Sequence, residues 1–155
     1  MRSRLELKIP PPVVALVVAM LMWLLKRALE PMLDVPWAVR LGSALVLGLV
    51  GIGTSAAGVL HFRRAGTTID PMRPDTASVL VSAGIYRLTR NPMYLGMLLV
   101  LLGWAVYLSS LPAMVLLPAF VLYLNRFQIA PEERALAARF GGAYEDYRRR
   151  VRRWL

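Results

Sequence analysis

Apolar and polar positions in this chain fall into long blocks. A first apolar segment runs from Ile9 to about Leu25 and closes on Lys26 and Arg27. A second spans Leu41 to Leu60 without a charge, and no charge occurs from Asn91 to Asn125 either. Uncharged apolar stretches of about 18 residues or more read as membrane spans. The run from Asn91 to Asn125 would measure about 52 Å as one helix at about 1.5 Å per residue, against a hydrocarbon core of about 30 Å. Ser109-Ser110-Leu111-Pro112 lies in its middle, so the pattern predicts a helical hairpin, roughly 92–108 and 112–127. The fold class is therefore all-α: a polytopic integral membrane protein of about four spans, the hairpin included.

The second span is rich in small residues, and the pairs Ala44 with Gly48 and Gly53 with Ala57 suit close helix approach. Between the spans, Arg63 to Arg90 is polar and dense in turn formers: Gly66-Thr67-Thr68, Asp70-Pro71 and Arg73-Pro74-Asp75. Only Val79-Leu80-Val81 reads there as a short extended or helical patch. A connection of that length is usually functional or disordered. After Pro131, Leu136, Phe140, Tyr144, Tyr147, Val151 and Trp154 recur at helical spacing, and Gly141-Gly142 divides this amphipathic tail in two. The chain reads as one domain: two N-terminal spans (1–62), a loop (63–90), the hairpin (91–127) and a helical tail (128–155).

Composition sharpens the picture. The chain is 57% hydrophobic and 18% charged, too apolar for a soluble domain of 155 residues. It has no cysteine, which excludes disulfides, thiolate nucleophiles and cysteine-ligated metals, and no metal site is expected. The net charge of +10 needs no nucleic acid to explain it. With four spans the termini share a side, which carries sixteen Lys and Arg residues against three (Lys26, Arg27 and Arg40) on the other. Positive residues concentrate inside, so both termini, the loop and the tail are expected in the cytoplasm, the tail near anionic lipid. Arg2, Arg4 and Lys8 before an apolar run resemble a signal peptide. Pro10, Pro11 and Pro12 and the lack of a small-x-small site favour a retained span.

Three groups carry candidate chemistry: Gly84 to Gly96, Glu132-Glu133, and Phe140-Gly141 with Tyr144 and Tyr147. Each has a plain structural reading. Asn91-Pro92 suits a helix start, with a capping side chain before a first-turn proline. Glu132 and Glu133 follow Pro131, where acidic side chains suit a helix dipole. The tyrosines fit an interfacial belt, and His61, beside Phe62 at the end of a span, fits interfacial packing.

The order Leu80-Val81-x-x-Gly84-x-Tyr86-x-x-x-Arg90-Asn91-Pro92-x-Tyr94-x-Gly96, then Glu132-Glu133, then Phe140-Gly141-x-x-Tyr144-x-x-Tyr147 with Val151, resembles the isoprenylcysteine carboxyl methyltransferase family. That family is related to the membrane phospholipid N-methyltransferases, and Gly66-Thr67-Thr68 looks like its bacterial members. The resemblance covers 63–153 well and the first two spans only as hydrophobic helices. It implies a bacterial inner-membrane enzyme using S-adenosylmethionine, with S-adenosylhomocysteine as product, in a cytosolic pocket closed by the tail. The substrate would be a lipophilic small molecule or lipid arriving from the bilayer. Carried over by position, the cofactor pocket comprises Val81, Gly84, Tyr86, Arg90, Asn91, Pro92, Tyr94, Leu95, Gly96, Glu132 and Glu133. Asn91 stands where that family has histidine, and asparagine cannot act as a base.

This assignment is chemically coherent. A carboxylate can accept from both ribose hydroxyls of the cofactor, and Arg90 at a helix start suits its carboxylate. Methyl transfer is an in-line displacement, so the protein chiefly aligns the reactants. Gly51-Ile52-Gly53 lies within a span and Ala56 replaces the third glycine, which excludes a Rossmann site. A carboxylate acceptor, as in carboxyl O-methylation of an isoprenylcysteine-like substrate, wants a cationic anchor, for which Arg126 is the candidate. An amine acceptor, as in phospholipid N-methylation, wants a base, for which Glu133 is the candidate. Other classes, a small transporter or a non-catalytic membrane binding protein, would need ionisable residues within the spans or rest only on Asn91.

Overall fold

A computed structural model describes residues 6–29, 33–66 and 77–155. Arg2, Arg4 and the turn formers from Thr67 to Asp75 lie outside them. Every regular element among the described residues is helical. In order they are α1 (Pro11–Ala28), α2 (Trp37–Arg64), a 3₁₀ turn (Gly84–Arg87), α3 (Pro92–Leu108), α4 (Leu111–Met114), α5 (Leu116–Leu124), a π turn (Asn125–Ile129), α6 (Ala130–Phe140) and α7 (Gly142–Arg150). Three stretches are long and apolar enough to cross a membrane: α1, α2 and the run Leu111–Phe140; α3 is a shorter apolar helix of 17 residues. The all-α membrane architecture predicted from the block pattern is the architecture found.

Two boundaries differ from expectation. α2 continues to Arg64, beyond the expected end at Leu60, because nothing after Leu60 breaks a helix until Gly66, whose φ is +64°. The hairpin's second arm, expected to end near 127, runs into the tail without a loop, since α5, the π turn and α6 follow one another. A proline inside a helix loses one N–H and crowds the carbonyl four residues back. The wider π turn just before Pro131 makes room for it. The division at Gly141, with φ +51°, is as predicted.

α3 is apolar on all sides and central, as helices of that composition are. Leu101, Ala105 and Leu108 on it pack with Met22 of α1, Ala113, and Phe120 and Leu124 of α5. Its contact with α2 is closer still. A Cβ on Gly96 would stand 2.1 Å from Ser55 Oγ and 2.4 Å from the Gly51 carbonyl, and one on Gly103 would lie 3.0 Å from the Ala44 carbonyl. Ser55 Oγ also donates to the Met93 carbonyl at 3.1 Å. The contact stripe on α2 is thus Ala44, Gly48, Gly51, Ser55 and Gly58; the expected pair Gly53 with Ala57 is not in it, for Gly53 faces open space. At the hairpin tip α3 ends on Ser109, in the left-handed region at φ +54°. Ser109 exchanges backbone and side-chain bonds with Leu33 (2.8 and 2.7 Å), and Arg40 donates to the Tyr107 carbonyl. The backbone groups freed at the tip are satisfied by the α1–α2 connection.

Candidate active site

The C-terminal end of α2, the N-terminal end of α3 and the first turns of α6 meet at one end of the bundle, and a cleft of about 850 Å³ including its mouth opens among them. Val79, Leu80 and Val81, outside any regular element, form an apolar wall. α6 contributes Glu132, Glu133 and Leu136, α3 contributes Pro92, Met93 and Tyr94, and α7 closes the cleft with Tyr144 and Tyr147.

Of the eleven residues expected at a cofactor pocket, eight line this cleft: Val81, Tyr86, Arg90, Asn91, Pro92, Tyr94, Glu132 and Glu133. Gly84, Leu95 and Gly96 do not. Gly96 and Leu95 are buried in the helix packing, Gly96 directly against Gly51 and Ser55. Gly84, at φ +59°, lies so close to His61 that a Cβ would stand 1.7 Å from Nε2. His61 Nδ1 donates to the Ala57 carbonyl at 2.8 Å, so the histidine packs as expected. These three glycine-region positions allow close approach to the helices that carry the site and do not themselves face it. Arg126 is also outside the cleft. Its guanidinium pairs with Glu6 at 3.2 Å and lies over the Phe127 ring, and more than half of its side chain is exposed.

The two adjacent glutamates differ in environment. Glu133 is held between guanidiniums, Arg90 at 2.8 Å and Arg153 at 2.5 and 3.1 Å. Glu132 has no ion pair among the described residues; Tyr94 donates its hydroxyl to Oε1, and Gln128 Nε2 donates to the same oxygen at 2.6 Å. Both acids lie in the first turn of α6 as expected, but that helix continues from the π turn, so its N–H groups are not free to face them.

Asn91 occupies the capping position of α3, with Pro92 in the first turn as predicted, but its side chain makes no capping bond. Nδ2 instead donates to the Arg153 carbonyl at 2.9 Å. Thr89 Oγ1 donates to that same carbonyl, the Arg90 N–H to the Arg152 carbonyl at 3.0 Å, and Arg90 Nη1 to the Arg148 carbonyl. Residues 89–91 therefore strap the tail across the cleft. The tail's aromatic face is spent on this closure. Tyr144 and Tyr147 pack with Tyr86, Phe62, Leu80 and Val81, and Tyr147 donates to the Tyr86 carbonyl at 2.8 Å.

The phenols remain neutral donors. Burial, with Tyr147 and Glu132 adding to it, pushes the Tyr86 phenol far above its usual range. Burial and then Glu133 push Tyr144 up to about 12, and burial raises Tyr147 likewise. Arg153 is also raised, chiefly by its bond to Glu133. Two buried polar atoms at the cleft have no partner among the described residues: Tyr86 Oη and Arg90 Nε. Buried donors are nearly always paired, so these two point to a polar ligand.

Sequence reasoning missed Gln128 and Arg153. Gln128 was legible in principle, as a polar residue four before Glu132 near the end of an apolar run. Arg153 was one arginine among several in the tail.

Residues 37–143 match the family described as Phospholipid methyltransferase. A rice protein (Oryza sativa subsp. indica) named "Probable protein-S-isoprenylcysteine O-methyltransferase" is 33% identical over 142 residues, 90% of this chain and 72% of that one, and its japonica counterpart matches equally. An "Uncharacterized protein" of Haemophilus influenzae is 46% identical over 63 residues, which is 41% of this chain and 100% of the relative. No solved structure matches this chain. The chain belongs to the phospholipid methyltransferase family, with isoprenylcysteine O-methyltransferase-like relatives, and is a membrane methyltransferase.

Proposed function

We propose that this protein transfers a methyl group from S-adenosylmethionine to a lipophilic acceptor that reaches the cleft from the bilayer, with the cleft and both termini on the cytoplasmic side of a bacterial inner membrane. The observation that carries this reading is the meeting in one cleft of Arg90, Tyr94, Glu132 and Glu133 with two unpartnered buried donors. Glu132 and Tyr94 suit the ribose hydroxyls, and Arg90 Nε with Tyr86 Oη suits the cofactor's carboxylate. When bound, the cofactor supplies an electrophilic methyl on a sulfonium. The chain's own groups orient both reactants and exclude water under the tail, and a metal ligand cluster is absent among the described residues.

A carboxylate acceptor, as the name of the rice relative implies for that protein, would need a cation in the cleft. Arg126 faces away to Glu6, and Arg90 and Arg153 are engaged by Glu133. Glu133, the base expected for an amine acceptor, is held by those same two guanidiniums, so an amine would enter already deprotonated and would need no cation in the cleft. These charges favour an amine acceptor over a carboxylate. The test is isothermal titration of detergent-purified protein with S-adenosylhomocysteine, followed by transfer from radiolabelled S-adenosylmethionine to amine and carboxyl lipids. Saturable binding lost in Glu132→Ala, with label in the amine lipid, is expected; label only in a base-labile carboxyl ester would reverse the acceptor class.

A further inference from the structure

The chain crosses its most irregular helical segment, Asn125–Ile129, where Glu132 is about to enter the cleft. Pro131 has no N–H to give to the Phe127 carbonyl, its α-helical partner four residues back. That carbonyl accepts from Leu7 at 3.1 Å, a residue near the other end of the chain. Leu7 holds φ +55°, a left-handed conformation that a branched side chain seldom adopts, so its backbone is bent to make this contact. The neighbouring Glu6 side chain, 9% exposed, sends one carboxylate oxygen to Arg126 before the π turn's midpoint (3.2 Å) and the other to Arg134 beyond it (2.7 Å). From the opposite side Trp154 Nε1 donates to Asn125 Oδ1 at 3.1 Å. Gln128, inside the π turn, holds Glu132 at 2.6 Å.

We propose that Glu6–Leu7 is a clasp that fixes the π turn and so positions Gln128, which holds Glu132 at the wall of the cleft; Glu6 and Leu7 are positioning residues for the site. This rests on the reading of Glu132 as a ligand-binding residue. An α-helix through Pro131 would rotate the residues before it relative to those after it. A carbonyl capped from outside and two arginines tied across the turn hold the π register, which sets the direction in which the i,i+4 neighbours Gln128 and Glu132 face.

The test uses the full chain in lipid nanodiscs. Amide hydrogen exchange over 125–133 and titration with S-adenosylhomocysteine are measured for wild type, Glu6→Gln, Leu7→Pro and Leu7→Gly. Glu6→Gln and Leu7→Pro are expected to speed exchange over 125–133 and weaken binding by about tenfold, the loss of one charged or buried bond. Exchange in α3 at 96–103 stays unchanged, and Leu7→Gly, which keeps the N–H and tolerates positive φ, matches wild type. Unchanged exchange in both Glu6→Gln and Leu7→Pro overturns the clasp, and faster exchange with wild-type binding overturns its link to Glu132. If wild type itself does not bind S-adenosylhomocysteine, the cofactor reading fails and the exchange measurement alone decides the clasp.

Discussion

Two neighbouring carboxylates with opposite surroundings give separable phenotypes. Glu133, gripped by Arg90 and Arg153, fastens the tail, while Glu132 faces the cleft with only neutral donors on it. Glu133→Gln is expected to make the tail beyond Gly141 sensitive to limited trypsin digestion, whereas Glu132→Gln leaves the tail resistant and abolishes cofactor binding. Identical digestion of both variants would count against this division. Asn91→Ala, which removes one bond to the tail, is expected to weaken tail docking by about 1 kcal/mol. The buried phenols set a pH limit in the same region. Tyr86, Tyr144 and Tyr147 are raised above the ordinary phenol value of about 10. Their stabilising contribution is therefore complete below about pH 10 and lost as pH rises toward 12 and beyond. Trp154 fluorescence should report the tail loosening above pH 10 and not between 7 and 9. At this scale the sequence motif located the carboxylates and Arg90 but not their partners. Arg153 is chemically the same as its neighbours in the tail, and only the fold back onto Asn91 and Glu133 sets it apart.

The α2–α3 crossing is the element on which the cleft is hung, since Gly58 lies under Pro92 and Met93 at its rim. Backbone meets backbone at Gly51 and Gly96, leaving no flexible side chain to yield. Gly96→Ala is expected to destabilise the bundle by about 1–3 kcal/mol, the range for overpacking, while Gly53→Ala changes stability little. A fluorescence-detected thermal melt in detergent distinguishes them, and equal melts would refute the crossing. The spacing rule found Ala44 and Gly48 but chose Gly53 where Gly51 and Ser55 make the contact. The reason is that α2 is surrounded by apolar or small residues with no polar face to mark the side turned toward α3. Membrane helices hide their partners in this way, because lipid and protein neighbours ask for the same side chains. The continuation through Pro131 was hidden for a different reason: the helix is kept going by a partner far away in sequence.

At the scale of the whole molecule, the long uncharged blocks made the membrane architecture and the hairpin break legible, since hydrocarbon thickness and turn formers dictate both. The sidedness proposed from the basic residues has a direct test in a chain without cysteine. Trp37→Cys, at the exposed start of α2, should react with an impermeant maleimide in intact cells, and Ala143→Cys only after lysis; the reverse pattern inverts the topology.

The strap from residues 89–91 to 148–153 also carries a consequence for biosynthesis. The helices that bear the cleft leave the ribosome and enter the bilayer in order, but Arg153 and Trp154 are translated after all of them. During that interval Glu133 has one of its two guanidiniums, the Phe62–Tyr86 wall lacks its aromatic cover, and Asn125 lacks its indole. The protein is therefore inserted first and finished afterwards, and a ribosome that stalls in the last arginine-rich stretch leaves in the membrane an inserted bundle whose cleft has never closed.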